Sequence, residues 1–270
     1  MRTLWMFFLC LMFLPVILHA QAQQAGVPAP SSQAVSAAVP TATAVPNPKT
    51  PEEFFARARQ LSDLEASRIP FHLKATFVAT GDAEFTGNGT YEEWWQSKDM
   101  WRKEATLGRF KYVAVKIGGK QATSASSRYV PLRLRQAADA VLIHISPNKG
   151  SSSDWKLGHQ VMGGTDFIML SSDYQCPHVA APVTCSTEDF FTSDGLLRVR
   201  VYNKIIHLFN DVQPFHGLLI PRSITLSFDK KTVLKISVAT LESLAANDAP
   251  GFIQASIPTG LVGVSAPRED

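Results

Sequence analysis

The first structured stretch of the chain has apolar positions at helical spacing, with charged positions on the opposite side. The apolar positions are Phe54, Ala58, Leu61 and Leu64. Thr50, Pro51 and Glu53 stand before and among them in the arrangement of a capping box with proline at the first helical position. This pattern predicts one amphipathic helix that runs to about Ala66.

After Pro70 the period changes from helical to alternating, which is typical of half-buried strands. In the first such strand Phe71, Leu73, Ala75 and Phe77 alternate with mostly polar neighbours. Strands separated by short turns are predicted at residues 71–78, 85–96, 100–106, 110–117, 155–162, 166–171, 196–208, 218–228 and 232–241.

Helical spacing returns once, within this series of strands. Leu134, Ala137, Val141 and Ile145 predict a second helix over residues 131–144. Consecutive short strands favour an antiparallel meander, and a sheet of about ten strands does not stay flat. The predicted fold is therefore α+β. It is a large curved antiparallel β-sheet, an open half-barrel, with an N-terminal helix and a mid-sheet helix packed on the concave face.

Two adjacent tryptophans stand in the strand segment GTYEEWWQS, residues 89–97. Neighbouring residues of a strand point to opposite faces of the sheet. We therefore expect one of Trp94 and Trp95 to face the concave interior. The other faces the outer surface or a packed helix.

The N-terminus has the pattern of an export signal. Arg2 is followed by an apolar run from Leu4 to Leu18, and Ala20-Gln21-Ala22 supplies small residues for a signal peptidase. The run is short for a membrane span, which needs about 20 apolar residues. We predict a signal peptide over residues 1–22, cleaved near Ala22, and a periplasmic or secreted protein. An uncleaved anchor is the alternative.

Two segments differ in composition from the predicted sheet. Residues 23–50 are rich in Pro, Ala, Ser, Thr and Val and carry almost no charge. Such a segment buries too little surface to offset its chain entropy, so we predict a disordered linker. The folded domain is predicted at residues 51–245. Residues 246–270 are again rich in Pro, Ser and Gly, which predicts a flexible C-terminal tail.

Charge and composition exclude one class of partner. The chain carries 26 Lys and Arg against 23 Asp and Glu, a formal net charge of +3. A nucleic-acid-binding domain would show clustered basic residues and a stronger positive balance. Hydrophobic residues make up 45% of the chain, enough to build a sizeable core.

Two cysteines, Cys176 and Cys185, remain after the predicted cleavage. An even pair in an exported protein favours a disulfide across the intervening loop. The alternative is a metal site of Cys176, His178 and Cys185, which lacks a fourth ligand and would need a reducing compartment. We predict the disulfide and no metal.

Sequence motifs for catalysis do not occur. Gly119-Lys120 lacks the remaining residues of a phosphate-binding loop. Glu92 and Glu93 are adjacent on a predicted strand, so they diverge and cannot act as a pair on one substrate. We therefore predict that the protein is not an enzyme, with no catalytic residues and no cofactor.

The chain resembles the periplasmic lipoprotein-carrier (LolA/LolB-like) superfamily. It is more narrowly similar to secreted bacterial proteins of unknown function, some of whose relatives are fused to TonB-type domains. The segments that carry the resemblance are FHLKATF, GTYEEWW, DMWRKE, VPLRLRQ and IPRSITL, within residues 51–243. It implies an open half-barrel that shelters an apolar ligand such as lipid or lipoprotein acyl chains. It also implies a buried arginine that holds the lid helices, whose position in this chain those five segments do not identify.

Aromatic and aliphatic side chains along the first strands are the candidate ligand-binding residues, because rings offer large apolar area at little cost in rotamer entropy. They are Phe71, Leu73, Phe77, Tyr91, Trp94, Trp95, Trp101, Phe110 and Tyr112. The alternative is that these residues form the core beneath the two helices.

Two hypotheses for the whole protein follow. One is a carrier that binds an apolar ligand in the trough of the sheet. The other is an envelope interaction module, for example one linked to a TonB-type system, with no ligand cavity.

Overall fold

The computed structural model describes residues 46–81, 85–126, 129–145, 155–175, 184–245 and 262–263. The predicted signal peptide, most of the predicted linker and most of the predicted C-terminal tail lie outside these residues. Among the described residues, no helix is both long enough and apolar enough to cross a membrane.

Three helices and thirteen strands are formed by the described residues. The helices are α1 Pro51–Ser62, α2 Leu64–Ser67 and α3 Leu132–Val141. The strands are β1 Phe71–Ala79, β2 Gly87–Ser97, β3 Met100–Leu107, β4 Phe110–Ile117, β5 Lys120–Ala125, β6 Lys156–Met162, β7 Thr165–Gln175, β8 Thr184–Phe191, β9 Leu197–Tyr202, β10 Ile205–Phe215, β11 Leu218–Phe228, β12 Lys231–Ser243 and β13 Val262–Gly263.

The predicted capping box of the first helix is confirmed. The Thr50 hydroxyl accepts a hydrogen bond from the Glu53 backbone N–H, and the Glu53 carboxylate accepts from the Thr50 N–H. The predicted helix to Ala66 is nevertheless wrong in one respect, because Asp63 adopts an extended backbone and ends α1. Its carboxylate then caps α2 by accepting from the Ala66 N–H at 2.9 Å.

One sheet contains all of the described strands, in the order β13-β5-β4-β3-β2-β1-β12-β11-β10-β9-β8-β7-β6. Every neighbouring pair is antiparallel. Two meanders, β1–β5 and β6–β12, therefore meet where β1 pairs with β12. The sheet does not close on itself, so the predicted α+β curved half-barrel is confirmed.

The three helices pack on one face of this sheet, which we call the inner face. A single core cluster joins Phe54 and Phe55 of α1, Leu134 of α3, and inner-face strand residues such as Phe71 and Leu226. The alternation on β1 decides which side chains point inward, since every second residue from Phe71 to Ala79 is buried. Burying these apolar side chains supplies the main driving force for covering the sheet with helices.

Three sequence-based boundaries are corrected by the structure. The predicted strand 196–208 is two strands, because Asn203 and Lys204 adopt positive φ angles of 47° and 68° and form a turn. Strands β5, β8 and β13 are not among the predicted strands. The second helix stops at Val141 instead of 144, since Leu142 is extended. Residues 142–145 then continue as an irregular segment whose Leu142, Ile143 and Ile145 are buried in the core.

Candidate functional site

A cavity of about 330 Å³ lies between α3 and the inner face of β8–β11. Its apolar wall is made by Trp155, Ile205 and Leu226. Trp155 is held in place by Phe55 of α1, whose ring centroid lies 4.9 Å away in an edge-to-face arrangement. The remaining lining residues are polar: Gln136, Asp139, Thr187, Asp189, Arg200, Tyr202 and His207. The cavity is therefore amphipathic.

An ion pair closes the polar side of the cavity. The Arg200 guanidinium donates from Nε and Nη2 to the two carboxylate oxygens of Asp189, at 2.7 and 2.8 Å. Register explains the pair, because Arg200 on β9 stands directly opposite Asp189 on β8. Asp189 is only 1% exposed. A bidentate pair of this kind is the strong form of the interaction and fixes the guanidinium in one orientation.

The same arginine binds the irregular segment that follows α3. Arg200 Nη1 donates to the backbone carbonyl of His144 at 3.0 Å. Burial alone would lower the pKa of Arg200, but the Asp189 carboxylate outweighs that effect and raises it. Arg200 thus stays charged, and it links the sheet to a segment that covers the inner face.

His207 on β10 is the third ionisable group beside the ion pair, opposite Arg200 across the β9–β10 ladder. Burial, together with the nearby Arg200 charge, lowers the pKa of His207 to about 4, against a smaller opposing effect of Asp189. The imidazole is therefore neutral at neutral pH. It offers the cavity one N–H donor and one nitrogen acceptor.

A second polar cluster is buried under the helices on the other side of the inner face. Glu93 on β2 is fully buried, accepts a hydrogen bond from the Tyr91 hydroxyl at 2.7 Å, and pairs with Lys103 Nζ at 3.2 Å. Lys103 also pairs with Glu65 of α2 at 3.5 Å, and Glu65 lies 4.0 Å from the His144 ring. Burial raises the pKa of Glu93, although Lys103 pulls it in the opposite direction.

The nine candidate ligand-binding residues are dispersed between core and outer face. Six of them lie in the main core, each at most 3% exposed: Phe71, Leu73, Phe77, Tyr91, Trp95 and Phe110. Trp101 and Tyr112 pack against that core while half-buried. None of the nine lines the cavity described above. Their contact with a ligand stays a prediction.

The two adjacent tryptophans point to opposite faces. Trp95 faces inward and stacks on Phe71 with ring centroids 5.6 Å apart. Trp94 faces outward, where it stacks on His72 at 5.1 Å and packs in a small separate cluster with Val113 and Val115. The sheet therefore buries aromatic rings on both faces along β2.

The cysteine predictions fall only partly on residues that the structure describes. Cys185 is buried on β8, whereas Cys176 and His178 lie outside the described residues. The disulfide accordingly stays a prediction. The described part of the chain contains no group of three or more His, Cys, Asp or Glu side chains arranged to hold a metal ion.

Sequence reasoning missed every residue of the cavity. Arg200 and His207 fell in a segment predicted as one continuous strand, which hid their pairing across a turn. Asp189 lies on β8, which was not predicted at all. A signal was present in LRVRVY, in which regular alternation would place Arg198 and Arg200 on one face with Tyr202. Two arginines on one face of a central strand call for buried acidic or carbonyl partners.

The fold and the cavity together define a class, an open antiparallel half-barrel with helices on its inner face and an amphipathic cavity beneath them. A scan against protein-family models finds no match, and a search of curated proteins by sequence finds none either.

Solved structures of similar fold include proteins from three bacteria. A LolA superfamily protein from Nitrosomonas europaea is 9% identical, with a TM-score of 0.47 over 75% of this chain and 97% of the other. A DUF1329 family protein from Desulfovibrio piger is 11% identical, with a TM-score of 0.44 over 76% and 98%. An outer membrane lipoprotein-sorting protein domain from Vibrio parahaemolyticus is 9% identical, with a TM-score of 0.38 over 75% and 95%. At these identities the likeness concerns the fold alone.

Proposed function

We propose that this chain is an exported, periplasmic or secreted protein that binds or carries an apolar ligand, a lipid or acyl chain, on the inner face of its half-barrel. The cavity of about 330 Å³ carries the proposal. Its volume falls within the range of about 300–1,000 Å³ that is usual for small-molecule sites. Trp155, Ile205 and Leu226 supply the apolar wall that an acyl chain needs.

The energy available from such a wall is large enough for binding. Each buried methylene contributes about 0.8 kcal/mol. An acyl chain of about fourteen methylenes would contribute roughly 11 kcal/mol gross, from which the costs of association are subtracted. Burial of most of the chain is therefore needed for a favourable net free energy, because the costs of association are at least about 4 kcal/mol.

The segment after α3 is the proposed cover of the site. It is held from both sides: Arg200 donates to the His144 carbonyl, and the His144 ring lies 4.0 Å from Glu65. If this segment moves, the aromatic and aliphatic residues of β1–β4 beneath it become the floor of a longer trough. On this proposal the eight candidate residues other than Trp94 contact the ligand only in that open state, because Trp94 lies on the outer face.

The test is native mass spectrometry, with organic extraction, of mature protein purified from a bacterial periplasm without detergent. We expect near-stoichiometric co-purifying lipid, and loss of that lipid in Trp155→Ala. Trp94→Ala is the matched control, because it removes the same side chain from the outer face. A lipid-free mass, with no uptake of added fatty acid, monoacylglycerol or lipopeptide, would overturn the proposal. N-terminal sequencing of the same sample tests cleavage near Ala22.

The interaction-module alternative is favoured by one observation, an apolar hollow on the outer face. Its walls include Phe190, Val199, Val201, Ile206 and Leu208. A docked protein would bury such side chains, whereas it has no use for a cavity on the opposite face. The lipid analysis above separates the two hypotheses, because the alternative expects the amount of co-purifying lipid to be the same in Trp155→Ala and wild type.

A further inference from the structure

The charged side chains that line the cavity restrict the charge of the ligand that it can bind. The ionisable side chains with net charge are Asp139, Asp189 and Arg200. The Arg200 charge is already matched by Asp189 through two hydrogen bonds. His207 is neutral, so the remaining charge of the lining is either that of the Asp139 carboxylate or nothing. The lining has no net positive charge in either case.

Free anions are therefore disfavoured in this cavity. A carboxylate or phosphate that leaves water needs an opposite charge or several dedicated donors to recover its solvation energy. Arg200, the lining residue that carries a positive charge, spends three of its five N–H groups on Asp189 and His144. It retains two N–H donors for a neutral oxygen, but an anion bound there would share its single positive charge with Asp189 and leave a net negative charge.

The uncharged polar groups of a ligand would find more hydrogen-bond partners in this cavity than an anion would. The hydroxyl of Tyr202, the hydroxyl of Thr187, the amide of Gln136 and the neutral imidazole of His207 all line the same space. Each of these groups both donates and accepts hydrogen bonds. Together they suit the hydroxyl and ester oxygens of a glyceride, while the apolar wall of Trp155 takes the chain.

We propose that the cavity selects a single-chain lipid whose polar end is an uncharged ester or alcohol, such as a monoacylglycerol, in preference to the corresponding free fatty acid. This inference rests on the proposed function. The volume favours one chain over several, because about 330 Å³ lies at the lower end of the usual range.

The test compares monolauroylglycerol with laurate, which share one acyl chain. Binding is measured by isothermal titration calorimetry at neutral pH, below the concentrations at which either lipid forms micelles. We expect monolauroylglycerol to bind at least about tenfold more tightly, equivalent to about 1.4 kcal/mol. Equal or tighter binding of laurate would overturn the inference and leave the proposed function standing. Binding of neither lipid, nor of lipopeptide, would instead overturn the proposed function.

Variants locate the selectivity in the cavity. Asp189→Asn frees the Arg200 charge and should reverse the preference toward laurate. Because this change breaks a buried ion pair, its folding is checked by circular dichroism. Asp139→Asn provides the independent variant and should raise laurate affinity more than monolauroylglycerol affinity. Asp173→Asn, the same change on an exposed side chain of the outer face, is the control and should leave the ratio as in the wild type. If neither cavity variant shifts the ratio, the lining charges do not set the selectivity and the inference is wrong.

Discussion

The two meanders of the sheet differ in how closely their inner faces are filled by side chains. In the β1–β5 half, the inner face is a filled core of rings such as Phe71 and Trp95, while the outer face carries ion pairs such as Lys74 with Glu92. In the β6–β12 half, the inner face contains the cavity with a buried ion pair, and the outer face contains an apolar hollow. The inner face of one half is therefore filled by side chains, whereas the inner face of the other half leaves a cavity.

The largest expected difference between the halves is in the cost of removing a tryptophan. Trp95→Ala should lower the free energy of unfolding by about 3–5 kcal/mol, because it opens a cavity in a filled core. Trp155→Ala should cost about half as much, since its ring already borders empty space on one side. Urea denaturation measures both. Equal costs would show that the two halves are packed alike.

Acid should weaken the cavity half through His207. Its pKa is about 4 in the folded protein, against about 6.5 when unfolded. The neutral ring contributes stability above pH 6.5, and that contribution is lost as the pH falls to about 4. The full shift corresponds to about 3 kcal/mol. His207→Gln should remove this loss, which denaturation at a series of pH values would measure.

Glu93 should oppose this trend in the other half. Burial raises its pKa, so the folded state binds a proton more readily than the unfolded chain does. Its contribution is complete below the unfolded pKa and is lost as the pH rises through the folded value. If His207→Gln left the pH dependence of the free energy of unfolding the same as in wild type, the loss of stability in acid would not come from the cavity half.

Glycines on the two halves offer a steric comparison. A Cβ at Gly89 would lie 2.1 Å from the Phe77 ring and 2.6 Å from the Thr106 carbonyl oxygen. Gly89→Ala should therefore destabilise the protein by about 1–3 kcal/mol. At Gly158 a Cβ would meet only the flexible end of Met169, at 3.1 Å, so Gly158→Ala should cost less than about 1 kcal/mol. Thermal denaturation of the two variants, each compared with wild type, measures the two losses of stability.

The smallest effect is expected at the outer-face ion pair of Lys156 and Asp173. The pair spans 3.8 Å, and both side chains are more than half exposed. Asp173→Asn should change the free energy of unfolding by less than about 0.5 kcal/mol, because solvent screens such pairs. A loss above about 1 kcal/mol in urea denaturation would show that this edge of the sheet is more tightly ordered than its exposure indicates.

The sequence predicted what depends on local pattern. Alternation placed β1–β4 within a few residues of their bounds, and the capping box placed the start of α1. It failed where polar residues occupy both faces, as in KQATSA of β5 and TCSTEDFF of β8. The cavity lay beyond reach for a different reason. Asp189 and Arg200 meet only because β8 and β9 pair in one particular register, and α3 reaches them from a distant part of the chain.

The contact between Arg200 and the His144 carbonyl has an evolutionary consequence. Its acceptor is a backbone oxygen, which every residue type at position 144 supplies. Substitution at 144 would alter the contact with Glu65 but leave this tether in place. The mutational target of the tether is thus a single codon, that of Arg200. Substitutions at position 144 would not be selected against through this contact. Replacement of Arg200, even by lysine, would remove the planar guanidinium that donates to the His144 carbonyl while it pairs bidentately with Asp189.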